Sequence, residues 1–357
     1  MTNPDPNPVD LEILVSLNAT EKIGCVLLRR LTDRFGSLPG IAAAPERALA
    51  EIEGVGPAAA AEIRRALREN RGARELEEAA RLGVRVIPHD SPDTPPGFKV
   101  IYDAPLVLYV RGTLLPEDAA AVSIVGTRDA TPYGLAAADR FAGDLAAYGL
   151  TVVSGLARGI DTAAHRGALR TGRTLAVLGT GVLRVYPDEN DALARRISSH
   201  GALLSEFPLH SGPSAVHFPR RNRLLAALGL GTFVVESGES SGALITADWA
   251  VEQGKEVFAL PGPVTSAASV GCHRLIQQGA KLVMTPDDIL EDIGMPRAST
   301  PLTPAEDRVL EALAAGPRSA EDLAAETGLS QDEIDDALER LGRRGRARRE
   351  GEAYVRV

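Results

Sequence analysis

Apolar positions change their spacing twice along this chain of 357 residues. Over residues 1–82 they recur at helical intervals broken by Gly and Pro, which predicts a set of short helices. From 84 to 295 they collect into strand-length runs at 84–87, 106–110, 121–125, 150–153, 175–178, 202–204, 232–235, 256–260 and 282–284. Segments of helical periodicity, such as 133–148 and 244–252, separate most of them. Strands that are apolar nearly throughout are buried on both faces. The alternation therefore predicts an α/β fold: an extended, mostly parallel Rossmann-like sheet covered by helices, with the first two strands extending it.

Past a linker at 296–301 the spacing turns helical again, over 302–357. Thr303, Ser319 and Ser330 each stand where a helix N-cap is needed, and two short extended segments flank Glu350-Gly351-Glu352. Three helices and a terminal hairpin make a winged helix-turn-helix. In the N-terminal region, Ile52-Glu53-Gly54-Val55-Gly56-Pro57-Ala58 joins two helical patterns. Two readings fit it. One is a SAM-like or helix-hairpin-helix domain whose glycine turn offers N–H groups to a phosphate. The other is a plain helical hairpin that needs glycine for a tight turn. Arg64, Arg65 and Arg68 on the second helix suit the first reading, and the acids on the first helix suit the second.

Composition narrows the classes. Hydrophobic residues at 44% and charged residues at 24% are the balance of a folded globular protein. No apolar run approaches the roughly 18–20 residues of a membrane span. The start, MTNPDPNPVD, has neither the basic nor the apolar stretch of a secretory signal. Cys25 and Cys272 supply neither a disulfide framework nor a Cys-rich zinc site, so a cytoplasmic location is expected. The formal charge of −9, taken alone, argues against nucleic acid. Yet only Lys22, Lys99, Lys255 and Lys281 among the 39 basic residues are lysine; the rest are arginine, whose fork suits phosphate contact and base stacking.

Open parallel sheets bind ligands where strands end and helices begin, because glycine turns and helix N-termini present free N–H groups. Four junctions qualify: Val125-Gly126-Thr127-Arg128, the turn from Ser154-Gly155 to Asp161, Leu178-Gly179-Thr180-Gly181, and the turn from Ser240-Ser241-Gly242 to Thr246. Each is also ordinary turn chemistry; together they predict an anion-binding crevice at the carboxyl edge of the sheet. Gly-x-Gly-x-x-Gly, Gly-x-x-x-x-Gly-Lys-Ser/Thr and His-Glu-x-x-His are all missing, so neither cofactor nor metal is expected. His165, four residues after Asp161, is expected to pair with it on one helix face.

Gly238-Glu239-Ser240-Ser241-Gly242 matches the Gly-x-Ser-x-Gly of a nucleophile elbow. Against that role, Glu236 and Ser237 separate the strand from the glycine, and only His273 lies downstream. The densest cationic stretch of the core is His217-Phe218-Pro219-Arg220-Arg221-Asn222-Arg223. Cations are unfavourable near a helix N-terminus, so these arginines are expected to meet phosphates, with the ring beneath a base. A competing reading makes the same crevice a nucleotide-processing enzyme, such as an N-glycosidase, with Asp161 or Glu236 as its acid.

Residues 122–128, 154–165, 218–223 and 241–247, with Tyr186-Pro187-Asp188-Glu189-Asn190 and Glu256-Val257-Phe258-Ala259-Leu260-Pro261-Gly262, resemble the DNA-processing protein DprA (Smf) family. The resemblance runs over essentially all of 120–285 and is less sharp toward both ends. It implies a non-enzymatic binder of single-stranded DNA that protects incoming DNA in natural transformation and helps load the RecA recombinase. It also implies a homodimer joined through the Rossmann-like core. Residue by residue, it places Gly126 and Arg128 at the first phosphate-contacting turn and Ser154 and Gly155 at the second. Phe218, Arg220, Arg221, Asn222 and Arg223 form the basic aromatic segment, and Ser241, Gly242 and Thr246 the last turn. Glu239 departs from the pattern, so direct DNA contact is not expected there. In the winged region, Asp332, Glu333, Asp335, Asp336 and Glu339 would face phosphates in a major groove. Protein docking is expected instead, with any duplex contact confined to the arginines of 340–349.

Overall fold

Polar caps and prolines cut the N-terminal region into short helices: α1 (Pro8–Asn18), α2 (Cys25–Phe35), α3 (Leu38–Ala43), α4 (Glu46–Ala50), α5 (Gly56–Arg68) and α6 (Arg71–Arg81). The computed structural model describes residues 7–20, 23–294, 302–343, 346–351 and 353–356. Asn7 and Ser37 cap α1 and α3 through side-chain oxygens, and proline occupies the first turn of α1, α3 and α5. The α4–α5 turn is tight, with Gly54 and Gly56 at φ +93° and +64°. Two of the hairpin's arginines are engaged within the protein: Arg64 donates to Ala42 O at 2.5 Å and Arg65 pairs with Glu62. That arrangement favours the plain hairpin.

The sheet region follows as β1 (Val84–Pro88), α7 (Pro96–Val100), β2 (Val107–Gly112), β3 (Ala121–Val125), α8 (Pro132–Ala147), β4 (Thr151–Ser154), α9 (Ile160–Thr171), β5 (Thr174–Val177) and α10 (Asp191–His200). It continues through β6 (Ala202–Ser205), α11 (His217–Leu228), β7 (Gly231–Val234), α12 (Gly242–Glu252), β8 (Glu256–Ala259), α13 (Val270–Gln277), β9 (Lys281–Leu282) and α14 (Pro286–Asp292). Every strand of this sheet overlaps a predicted apolar run, β9 through Leu282 alone. The strand order is β1-β2-β6-β5-β4-β3-β7-β8-β9, with β2 antiparallel to both neighbours and the remaining pairs parallel. Strands β3 to β7 are buried at every position, as two-sided cover requires. Phe141 and Ala164 of α8 and α9 pack with Ile124 and Phe233 on one face, and Leu224 and Ala247 of α11 and α12 with Val125 and Val234 on the other.

Residues up to Arg297 form one compact unit and Ala298–Val357 a second. The boundary expected near residue 83 is a change of architecture inside the first unit. There Asn18 Nδ2 donates to Glu206 O at 2.9 Å, and Leu209 N donates to the Glu75 carboxylate at 2.6 Å. The expected linker at 296–301 lies outside the described residues.

The second unit contains α15 (Pro304–Ala314), α16 (Ala320–Thr327), α17 (Gln331–Arg343) and a hairpin of β10 (Ala347–Glu350) and β11 (Ala353–Arg356). Val309, Leu313, Leu323, Ile334, Leu338 and Leu341 form its core. Thr303 and Ser319 cap their helices in reciprocal boxes with Glu306 and Asp322, as the spacing predicts. Thr303→Ala is expected to cost this unit about 1 kcal/mol, read as a lower denaturant midpoint for its helical signal.

Candidate nucleic-acid interface

Strands are added on one side of β3 as far as β6 and then, from β7 onward, on the other. The turns that leave β3 and β7 therefore open between them the crevice expected at such a reversal. Its volume is about 590 Å³, and it is lined by 125–129 after β3 and by 238–243, 245 and 246 leading into α12, with Ala157, Asp161, Phe218 and Arg221 at its sides. Among the described residues, no backbone N–H from Gly238 to Gly242 donates to a protein acceptor. Ser241 Oγ accepts from Ala243 N at 3.3 Å and caps α12, so the positive end of that helix dipole lies in the same turn. Thr246 is buried along the wall, and Asn222 Nδ2 donates to Gly242 O at 3.1 Å, tying α11 to the turn.

Two glycines are demanded by packing. A Cβ at Gly126 would stand 2.4 Å from Ile160 Cγ1 and 2.8 Å from Glu236 O, and one at Gly155 would stand 2.7 Å from the Arg221 guanidinium. Ser154 is fully buried and donates to Ile124 O at 2.7 Å, beneath the turn. The turn after it carries Leu156 at φ +57°, a left-handed conformation costly for a branched side chain. Asp161 holds it there: Oδ2 accepts from Gly155 N at 3.1 Å and Ala157 N at 3.3 Å. Burial raises the Asp161 pKa, and Arg221 and these hydrogen bonds act against that rise.

Several sequence expectations change here. His165 does not pair with Asp161; its Nδ1 lies 2.7 Å from Thr174 Oγ1, and burial lowers its pKa to about 3. Glu236, the other candidate acid, accepts from Thr131 N at 2.8 Å and Thr131 Oγ1 at 2.7 Å, holding the residue that caps α8. Each candidate acid thus accepts from backbone N–H through one oxygen, and Glu236 accepts from a hydroxyl through the other. In the nucleophile-elbow match, His273 lies 3.0 Å from Gly262 O and Glu239 pairs with Arg274. The third glycine turn does not line the crevice: Gly179 makes room for Phe218, whose ring a Cβ would approach to 2.6 Å. No group of His, Cys, Asp and Glu among the described residues is arranged to hold a metal.

The three arginines of α11 part company. Arg223 is 2% exposed, with Nη1 2.6 Å from Glu206 Oε1 and Nε 2.7 Å from Asp103 Oδ2. Burial opposes its charge, but Glu206 and Asp103 more than offset this and raise its pKa. Arg220 shares Glu206 at 2.9 Å and lies 5.7 Å from the Phe207 ring centroid. Only Arg221 lines the crevice, donating to Gly155 O at 2.8 Å and to Val177 O; burial pulls its pKa down to about 10. Glu206 organises this cluster, and nothing in its sequence neighbourhood marks it, because its arginines arrive from 14 and 17 positions away.

Arg128 behaves differently. It is exposed, and among the described residues no protein carboxylate or carbonyl accepts from its guanidinium, which sits 5.5 Å from the Phe218 ring centroid. Tyr186 continues the aromatic surface, 5.7 Å from Phe218. A flat ring, a free guanidinium and a row of open N–H groups are what a phosphate and its base need. The lining is mixed, since Asp129, Asp161 and Glu239 also belong to it.

Comparison with known proteins accords with this arrangement. The family described as DNA recombination-mediator protein A matches residues 85–294, and the DprA winged helix domain matches 293–351. Protein Smf of Escherichia coli K12 is 45% identical over 210 residues, covering 58% of this chain and 56% of that protein. The DNA processing protein DprA of Bacillus subtilis is 41% identical over 213 residues, covering 59% of this chain and 72% of its own. The X-ray structure of DprA from Streptococcus pneumoniae superimposes with a TM-score of 0.67 at 33% identity, over 79% of this chain and 95% of that one. DprA of Helicobacter pylori, whose structure was described for its single-stranded DNA binding mode, aligns with a TM-score of 0.54 at 28% identity, over 59% of this chain and 95% of that one. The chain belongs to the DNA recombination-mediator protein A family.

Proposed function

We propose that this chain captures single-stranded DNA in the crevice without making or breaking a bond. We further propose that it acts in natural transformation, as a cytoplasmic homodimer that protects the strand and passes it to the RecA recombinase. The observation that carries the reading is Arg128, a guanidinium over an aromatic ring with no carboxylate or hydrogen-bond acceptor of the protein among the described residues, in a crevice it shares with a turn of open N–H groups. The names of the relatives support a DNA-processing role, and the Helicobacter pylori structure supports the single-strand preference. Asp161 and Glu236, each already accepting hydrogen bonds within the protein, support a binding role over glycosidic cleavage. In the winged unit, Asp332, Glu333, Asp335, Asp336 and Glu339 are all exposed on α17, which favours a protein partner over a major groove. Arg346, Arg348 and Arg349 of the wing are left as its duplex-facing surface.

A salt titration of the full chain with a single strand and a duplex of equal length tests the reading. The single strand is expected to bind more tightly at every salt concentration, with affinity falling linearly in log-log coordinates. Equal affinity for both forms throughout would overturn it, as would release of free base from incubated nucleotides.

A further inference from the structure

Adjoining the crevice is a small notch lined by Gly155, Arg158, Tyr186 and Pro187, which shares Arg128, Phe218 and Arg221 with its surroundings. Tyr186 is 43% exposed, and its ring is tilted 42° to Phe218. The aromatic surface that begins under Arg128 thus runs on for a second ring. At the rim, Arg158 donates from Nε and Nη2 to the two carboxylate oxygens of Glu189, both at 2.9 Å. This fork-to-fork contact is exposed on both sides, at 60% and 54%. Ion pairs so exposed contribute little to stability and weaken with salt. The segment bearing Glu189 is held instead by Asn190, which is buried and donates to Leu156 O at 3.0 Å and Thr162 Oγ1 at 2.9 Å. Arg158 stands two residues beyond the left-handed Leu156, on the strained turn that Asp161 maintains.

We propose that the nucleotide next to the one on Phe218 lies over the rim of this notch, with Tyr186 against its base and Arg158 on its phosphate, and that Glu189 is a gate that must release Arg158. The notch itself, with a volume of about 40 Å³, is too small to enclose a base. The proposal rests on the crevice being the single-strand site. A phosphate and the Glu189 carboxylate compete for the same planar fork. Glu189 is already largely hydrated, so its release adds little desolvation cost. A polyanion without a base must displace Glu189 by charge alone, whereas a strand adds stacking on Tyr186. The gate therefore lowers the affinity of both kinds of ligand, and stacking on Tyr186 supplies the preference for a base-bearing strand.

The test uses the full chain, oligo-dT, an abasic strand of equal length, and a salt series. Glu189→Gln is expected to tighten oligo-dT about 2–5-fold, the range set by releasing an exposed ion pair. It is expected to tighten the abasic strand at least as much. Arg158→Ala is expected to lower the salt slope by about 0.7, the loss of one single-strand phosphate contact. Tyr186→Leu is expected to weaken oligo-dT but not the abasic strand. The Glu189→Gln gain is expected to vanish when Arg158→Ala is added. An unchanged or weaker Glu189→Gln affinity, or a gain that survives Arg158→Ala, overturns the gate. Phe218→Ala separates the two levels: if it leaves binding intact, the crevice reading itself fails. If it weakens binding while the Glu189 and Arg158 variants stay at the parental affinity and slope, only the gate fails.

Discussion

Arg223→Ala is expected to destabilise the fold by about 3–5 kcal/mol, the typical result of stranding a buried charge. Glu206 is 1% exposed and would lose two of its three arginine bonds, at 2.6 and 2.8 Å, keeping only the one from the half-exposed Arg220 at 2.9 Å. Asp103 would lose its partner, and the Arg220 carbonyl would lose a donor at 2.9 Å. Urea unfolding followed by far-UV circular dichroism reads the loss directly. Replacing both Arg223 and Glu206 by apolar residues of similar volume is expected to recover part of it, because no uncompensated charge then stays buried. The phosphate role that the sequence suggests for Arg223 makes the opposite forecast: unchanged stability with weaker DNA binding. Full stability in the single variant would restore that role.

Removing Arg128 and Phe218 together is expected to weaken single-strand affinity by about 10–100-fold or more, with the melting midpoint nearly unchanged. Stacking of a base on an aromatic ring contributes about 1–3 kcal/mol, and the guanidinium adds a phosphate contact. The two single variants separate these parts. Arg128→Ala is expected to lower the salt slope by about 0.7, whereas Phe218→Ala lowers affinity at constant slope. Their losses are not expected to add, because the guanidinium lies 5.5 Å from the ring and each orients the other. Fluorescence anisotropy with labelled oligo-dT across a salt series measures both quantities. Parental affinity and slope in the double variant would remove the crevice from DNA binding.

Much of the architecture was legible before any coordinates. Nine apolar runs became the nine strands of the sheet, most clearly β3 to β7, because a strand buried on both faces has no polar face to disguise it. Thr303 and Ser319 announced their helices because capping is local chemistry, settled within three residues. The carboxyl-edge crevice was legible in part: three of the four glycine junctions contribute to its lining, while the one at Gly179 serves packing against Phe218. The fate of the arginines was not. Arg220, Arg221 and Arg223 read alike along the chain, and so do Asp161 and Glu236 as free acids.

What the sequence alone determined about this protein is what depends on near neighbours: strand and helix type, caps, turns, and the family to which the segments point. What only the tertiary structure decided is which charges are free. Arg223 meets Asp103 across 120 residues, and Glu236 meets Thr131 across 105. Such pairings follow from strand order and helix docking, which no local spacing encodes. The same distinction applies to the net charge of −9. A total over the chain says how the molecule repels or attracts at a distance, while the charge offered at the crevice is local: the fold sets the Arg128 guanidinium over Phe218 with no carboxylate or carbonyl accepting from it among the described residues.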